Sequence, residues 1–552
     1  MGSEETILER CRLKNERGIV PEKRGLHIMS ICNSRGSWVF VITAGLIVGG
    51  HSSAARADFS GTPIVFNANG GWCWFANPRM VIDNGVLIIG SIAGTAGNGS
   101  LAGDVDATTY DFGTQAINET VLAAAFDQDD HANPAFAILP DGNVMVQYQT
   151  HGGNNNTNWQ IGTVGNGAVT WGARQTGVVN ITNDGNGNTY ANPIYLSTPN
   201  EVVSFSRAIG YDPNYSVFTN LDSATPTFAY GGHWMYWKNP GTGPLTGGNG
   251  RPYVTYTSNH TDTVWFATTE DSPQNYLNSL YVGYMKFNAN GSGNVYTSTG
   301  TLLGGLSTGT APTTGTNNSG AITSGTGSSY LPTAFTQIAK ANGIAADGFN
   351  LSSSSPYGAG YVAWASSMEL DAAGQPYLGI VTVRNLTGAY GNDLEYDYGH
   401  LVNGAWQVSR VGYAGLPLYN SQNQYAGLIT VDPLDPDKVY ISDDVNPLTD
   451  ASLIASDGKQ HWQIFEGVTP DDGTTWNWTQ LTDTSSDNLR PVLSAADGME
   501  ALVWEEGSYT SYTDFDTHMV GLVQTVGTPE PASLSLAGIS VVGVLLRRKS
   551  RG

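Results

Sequence analysis

The chain has 552 residues, 69 of them glycine, with 13% charged residues and a formal net charge of −23. Such a composition is poor for long helices and suits short strands joined by tight turns. Residues 58–526 hold 12 Lys/Arg against 41 Asp/Glu, a balance of −29. That surface repels nucleic acid and anionic lipid, so no nucleic-acid partner is expected. It repels an anionic glycan as well, so the few cations of this region become informative.

In chain order, Arg35 precedes an apolar run over 38–50, and Ala55-Arg56-Ala57 fits a small-x-small cleavage site. This is the grammar of a secretory signal peptide with cleavage after Ala57, and Met29 is an alternative start. With 1–57 set aside as leader, Cys73 is the one cysteine left, and no internal disulfide is expected. It lies in Trp72-Cys73-Trp74-Phe75, which reads as core packing rather than chemistry.

Seven β-rich runs follow, each folding back over a polar turn into a second β-rich run. The turns centre near 84, 141, 199, 259, 372, 434 and 497. Their spacing is close to sixty residues except at the fourth step, which is about fifty longer. The Gly/Ser/Thr/Asn-rich stretch 289–330 reads as an insertion there, too polar to build a core. Seven hairpins at one period predict an all-β chain, a seven-bladed β-propeller over 58–526. Thr469-Pro470-Asp471-Asp472-Gly473-Thr474-Thr475-Trp476 fits the Asp-box turn found in such blades.

The chain closes on Pro529-Glu530-Pro531, an apolar run over 534–546, and Arg547-Arg548-Lys549. The run is short for a stable membrane span. The segment 527–552 resembles the PEP-CTERM sorting signal. The resemblance implies export, transient membrane anchoring through this segment, and release or retention at the cell surface.

The residue entering the first strand of a hairpin and the residue leaving the second lie at the same end. His131 and His151 stand in this relation about the turn at 141. Tyr190 and Arg207 repeat it about the turn at 199, in the next blade. Equivalent ends of adjacent blades open on one face of the ring, so the four side chains are expected to share a groove. They suit β-elimination from a uronate. A guanidinium neutralises the carboxylate. Neutral His or Tyr takes the C5 proton, and Tyr or His⁺ protonates the departing oxygen. Arg207 is the neutraliser, and His131, His151 and Tyr190 form the base/acid set, undivided.

These residues and their surroundings resemble the BNR-repeat family that contains ulvan lyases and a rhamnose–glucuronate lyase acting on arabinogalactan. The resemblance rests on Gly71-Trp72-Cys73-Trp74-Phe75, Asn77-Pro78-Arg79, Asp129-Asp130-His131-Ala132-Asn133-Pro134-Ala135 and Leu139-Pro140-Asp141-Gly142. It continues through His151, Tyr190-Ala191-Asn192-Pro193, Arg207, Arg251-Pro252-Tyr253-Val254, Asn278 and Tyr281. It ends with Asp487-Asn488-Leu489-Arg490-Pro491 and Gly507-Ser508-Tyr509-Thr510-Ser511-Tyr512. It implies a seven-bladed propeller, a polysaccharide lyase, an acidic polysaccharide as partner, and His131, His151, Tyr190 and Arg207 as catalytic residues. Asn133, Arg251 and Tyr253 are the implied substrate-groove residues. The pattern departs at Glu270-Asp271-Ser272-Pro273, where the family often reads Asp-Gly-His-Pro.

No cofactor is required by this chemistry, and a monomer is expected. Asp184-Gly185-Asn186-Gly187-Asn188 has the look of a calcium loop but lacks its sixth-position Gly and twelfth-position Glu, so a structural calcium is unsupported. No His-Glu-x-x-His or paired-Cys pattern supports a metal. Two alternatives stand beside the lyase. One is a non-catalytic glycan-binding surface propeller. The other is a sialidase-like hydrolase using Arg79, Arg207, Arg251 and Arg490 as an arginine cluster.

Overall fold

A computed structural model describes residues 58–94, 102–236, 251–273, 279–306, 329–339, 362–383, 394–418, 422 and 424–526, and two short paired strands, Met29–Cys32 and Trp38–Val41. Most of the expected leader, its cleavage point at Ala57 and the C-terminal segment 527–552 lie outside the described residues. The chain divides into two compact units, Met1–Ala57 and Asp58–Gly552. Among the described residues no helix is long and apolar enough to cross a membrane.

The second unit is a seven-bladed β-propeller. Blades 1 to 6 span 80–123, 135–178, 189–233, 254–339, 362–413 and 429–480, each an antiparallel meander of at least four strands. Blade 7 takes three strands from 487–525 and its fourth from Ile64–Asn67, so the two ends of the unit close the ring within one sheet. Asp487–Ala496 of blade 7 also packs on Met80–Asp83 of blade 1.

All seven hairpins read from the sequence are the first two strands of successive blades. The local chemistry explains why. At Asp83-Asn84-Gly85-Val86 the two central residues have φ of 50° and 78°. Asn-Gly adopts that left-handed pair readily, and it matches the twist of the flanking strands. The turn at 469–476 is built likewise: Asp471 Oδ1 accepts from Thr475 N at 2.7 Å, and Trp476 Nε1 donates to the Gly473 carbonyl.

The stretch 289–330 departs from expectation. Its first part forms strands Gly293–Thr297 and Leu302–Gly305 at the outer edge of blade 4. Val295 and Leu306 are buried in that blade's apolar cluster despite their polar neighbours, because alternation needs only every second residue to be apolar. Residues 307–328 lie outside the described residues.

Between the closing strand and blade 1, Trp72-Cys73-Trp74-Phe75 plugs one mouth of the ring, fully buried as expected. Trp74 packs on Tyr425 and Trp364 with ring centroids 4.4 and 5.9 Å away. Phe75 packs on Tyr253 at 4.6 Å and Tyr190 at 5.6 Å. Each such aromatic contributes about 1.5–3 kcal/mol by burial. The plug is therefore a rigid floor under the blade ends above it.

Candidate active site

The start of blade 2 is organised by two adjacent carboxylates. Asp129 caps a short 3₁₀ turn over Asp130–Ala132 by accepting from His131 N at 3.0 Å. That turn aims the His131 ring back at its own cap. His151 follows the second strand of the same blade, and its N–H donates to Asp127 Oδ2 at 2.8 Å. The two imidazoles stack in parallel with centroids 4.0 Å apart. Nδ1–H of His131 donates to Asp129 Oδ1 and Nδ1–H of His151 to Asp129 Oδ2, both at 2.7 Å. One carboxylate thus holds both rings.

The two rings differ in charge. Burial opposes protonation of His131, but Cys73, Tyr190, Asp129 and Asp130 outweigh it and raise its pKa well above the ordinary value. Asp130 Oδ1 lies 2.7 Å from Nδ1. His151 is pushed down to about 4 by burial, by His131 and by Arg207. At neutral pH His131 is an imidazolium and His151 a neutral ring. Because its Nδ1 carries the proton given to Asp129, the Nε2 of His151 is a free lone pair.

Asp130 is anchored from behind by a residue 360 positions away. Arg490, wholly buried, donates to Asp130 Oδ2 at 2.8 Å and lies 3.3 Å from Glu505 Oε1. Its guanidinium is sandwiched by Trp74 and Tyr509 at 4.3 and 4.1 Å. Tyr509 Oη donates to the same Asp130 oxygen at 2.7 Å. The arginine and the neighbouring His131 hold Asp130 below its usual range against the opposing effect of burial. From the same blade-7 hairpin Tyr512 stands edge-on to both imidazoles, at 5.2 Å from His131 and 5.7 Å from His151. Its carbonyl accepts from Asp130 N at 2.8 Å.

Blade 3 brings Tyr190 and Arg207. Tyr190 has φ of 66° inside a β-bulge, where pairing jumps from Thr189–Arg207 to Asn192–Phe205. A tyrosine rarely holds that conformation, and bulges re-aim side chains beside functional sites. The Tyr190 ring lies 5.5 Å from that of His131. Arg207 Nη1 donates to Tyr253 Oη at 2.8 Å and lies 3.5 Å from Tyr190 Oη. Arg207 is 6% exposed, and among the described residues it forms no ion pair with a carboxylate. The two phenols diverge: burial and Tyr253 push Tyr190 well up. Tyr253 is lowered despite burial, by the guanidinium groups of Arg207 and Arg251.

The expected quartet therefore does meet in one place, and Tyr253 meets it there. Arg251 stacks near Tyr211 at 5.6 Å, with its N–H held by Asp271 Oδ1 at 2.9 Å. The departing segment at 270–273 thus anchors the Arg251 backbone. Asn133 is corrected: it is 1% exposed, its oxygen accepts from Cys73 N and its amide donates to the Pro134 carbonyl. It fastens the floor and faces no groove. Arg79 packs on Trp72 and bonds the Cys73 carbonyl, and Arg490 serves Asp130, so neither joins Arg207 in a cluster. Asp129, Asp130 and Tyr512 enter the sequence reading only within the resemblance, and Arg490 there and in the arginine-cluster alternative; their part in holding the imidazoles is not read from sequence.

Among the described residues two groups bring metal-type donor atoms within 4.8 Å of one another: Asp129, His131 and His151, and Cys73, Asp130 and His131. In the first the carboxylate and the two imidazoles are already joined by hydrogen bonds, and Arg490 adds a fixed positive charge beside the second. Asp184 is the centre of a turn, accepting from Asn180 and Asn186 side chains and from the N–H groups of Asn186 and Gly210.

A seven-bladed ring with this cluster at one mouth has the fold of polysaccharide-lyase propellers. It is similar to a PL25 ulvan lyase bound to -[GlcA(1-4)Rha3S]-, at 13% identity over 84% of this chain and 96% of that one, with a TM-score of 0.53. A second PL25 ulvan lyase structure gives 13% identity, the same coverage and a TM-score of 0.52. The polysaccharide lyase Uly1 gives 11% identity over 84% and 92%, with a TM-score of 0.46. No curated protein matches the sequence. The chain belongs to the BNR repeat-containing family, whose model matches residues 102–413. A PEP-CTERM protein-sorting motif matches 528–549, the mark of a chain exported to the cell envelope or surface.

Proposed function

We propose that this protein is a polysaccharide lyase that cleaves a uronate-containing glycan by β-elimination. The observation that carries the reading is Arg207, a buried guanidinium without a carboxylate partner among the described residues, beside one charged and one neutral imidazole. A buried cation is unfavourable until an anion reaches it, and a uronate carboxylate supplies that anion with paired hydrogen bonds. Binding there withdraws charge from C5 and acidifies its proton.

His151 Nε2 takes the C5 proton. The C5–H electron pair becomes the C4=C5 double bond, and the C4–O bond breaks. The departing oxygen takes a proton from the Tyr190 phenol or from His131, both protonated at neutral pH. Tyr253 fixes Arg207 through its hydroxyl, and Arg251 lies nearby against Tyr211. The C-terminal segment anchors the propeller transiently at the membrane before it is released or retained at the surface. The fold likeness to PL25 ulvan lyase is consistent with this chemistry.

The test is ultraviolet absorbance of conjugated unsaturated uronate, with full-length protein and a panel of acidic glycans. At least one glycan is expected to give the signal with wild type and to lose it with His151→Ala and with Arg207→Ala. Equal turnover by both variants refutes the assignment.

A further inference from the structure

We propose that the groove beside His151 is a subsite for an uncharged, hydroxyl-rich sugar, so that the preferred glycan carries an unsulfated neutral residue next to its uronate. This rests on the elimination reading for the identity of the neighbouring residue. The groove, about 400 Å³, begins one residue after His151 and is lined by Asn154, Asn155, Asn156 and Asn183 with Gly152 and Gly185 among its glycines. Its volume is within the range of small-ligand sites.

The lining is shaped rather than loose. A Cβ on Gly187 would collide with the Gly152 backbone, so the two loops meet main chain to main chain. A Cβ on Gly185 would meet nothing within 4 Å, which marks the open side. Asn155 Nδ2 donates to Asn183 Oδ1 at 2.6 Å. That bond orients both amides and leaves the Asn155 oxygen as acceptor and the Asn183 NH₂ as donor, the two functions a sugar hydroxyl can meet at once.

Charge decides which sugar. Among the described residues none that lines the groove is ionisable. The guanidinium groups of Arg207 and Arg251 pack on Tyr190, Tyr253 and Tyr211 instead, and the His131 imidazolium is paired with Asp129 and Asp130. Acidic Asp184 lies beneath the loop, its oxygens taken by Asn180, Asn186 and Gly210. Sulfate recognition calls for a guanidinium or ammonium donor. Here a sulfate meets neutral amides over an acidic residue, in a propeller already carrying excess negative charge.

The experiment uses full-length protein and two probes, a sulfated glucuronate–rhamnose polymer and its chemically desulfated form. Affinity electrophoresis reads binding, and absorbance reads elimination. Wild type is expected to bind the desulfated polymer more tightly and cut it about tenfold more efficiently, the size of one mismatched charge-assisted bond. Asn155→Arg is expected to narrow or reverse the preference. Asn155→Ala keeps the carbonyl that Val179 and Asn180 bond, and is expected to weaken retention on the desulfated polymer alone. Equal or better binding and cleavage of the sulfated form by wild type overturns the proposal, as does retention on neither polymer. Retention on the desulfated form without any elimination upholds the subsite and refutes the lyase reading instead.

Discussion

Replacing Asp129 by Asn keeps the shape of the residue that holds both imidazoles and removes its charge. The carboxylate accepts two 2.7 Å bonds, one from each Nδ1–H. An amide offers one acceptor and turns an NH₂ against the other ring, so one bond is lost and the second loses its charge assistance. With about 1.5–3 kcal/mol for a charge-assisted bond, a loss of about 2–4 kcal/mol follows. That is about a 30- to 1,000-fold fall in kcat/KM. His131 then keeps Asp130 as its one carboxylate, so its raised pKa falls and the alkaline limb of the pH profile moves to lower pH. The assay is elimination rate against pH on Asp129→Asn, with thermal unfolding to confirm folding. A folded variant within threefold of wild type, or one whose alkaline limb does not move, refutes the shared-carboxylate account.

Three further outcomes follow from the same geometry. For wild type, kcat/KM is expected to rise with pH through about 4 as His151 loses its proton, to stay level near neutrality, and to fall well above the ordinary histidine value when His131 deprotonates; a single limb near about 6.5 contradicts it. Arg490→Met leaves Asp130 and Glu505 buried without their cation and is expected to destabilise by about 3–5 kcal/mol, read as a lowered unfolding midpoint; an unchanged midpoint contradicts it. Tyr512→Ala uncovers both rings, so the burial that depresses His151 is relieved and the acid limb moves toward higher pH, while Tyr512→Phe leaves it in place.

The blades were legible because their signals are local. Asn84-Gly85 and Asp497-Gly498 select hairpins through their own backbone preferences, and alternation marks the strands beside them. The pairing of His131 with His151 and of Tyr190 with Arg207 followed from hairpin geometry alone. What holds them did not. Arg490 reaches Asp130 only because Ile64–Asn67 closes the ring in the last blade, a contact across 360 residues. Tyr512 meets the imidazoles from that same blade. The turned backbone of Tyr190 has no local signature, since neither Gly nor Asn marks it. Asn133 misled because a buried amide and a groove amide look alike in sequence. The polar composition of 289–306 hid strands whose apolar residues fall on alternate positions. The downward shift of Tyr253 from the ordinary phenol value arises from two arginines that folding brings to it.

The central claim is elimination rather than hydrolysis, and the origin of oxygen in the products separates them. Brief digestion of the responsive glycan in heavy-oxygen water, trapped at once by borohydride reduction so that the anomeric oxygen cannot exchange and followed by mass spectrometry, is predicted to give a new non-reducing end lighter by one water, with no label from the cleavage step. Fragments that each gain the elements of water, labelled at the new reducing end, would contradict the account.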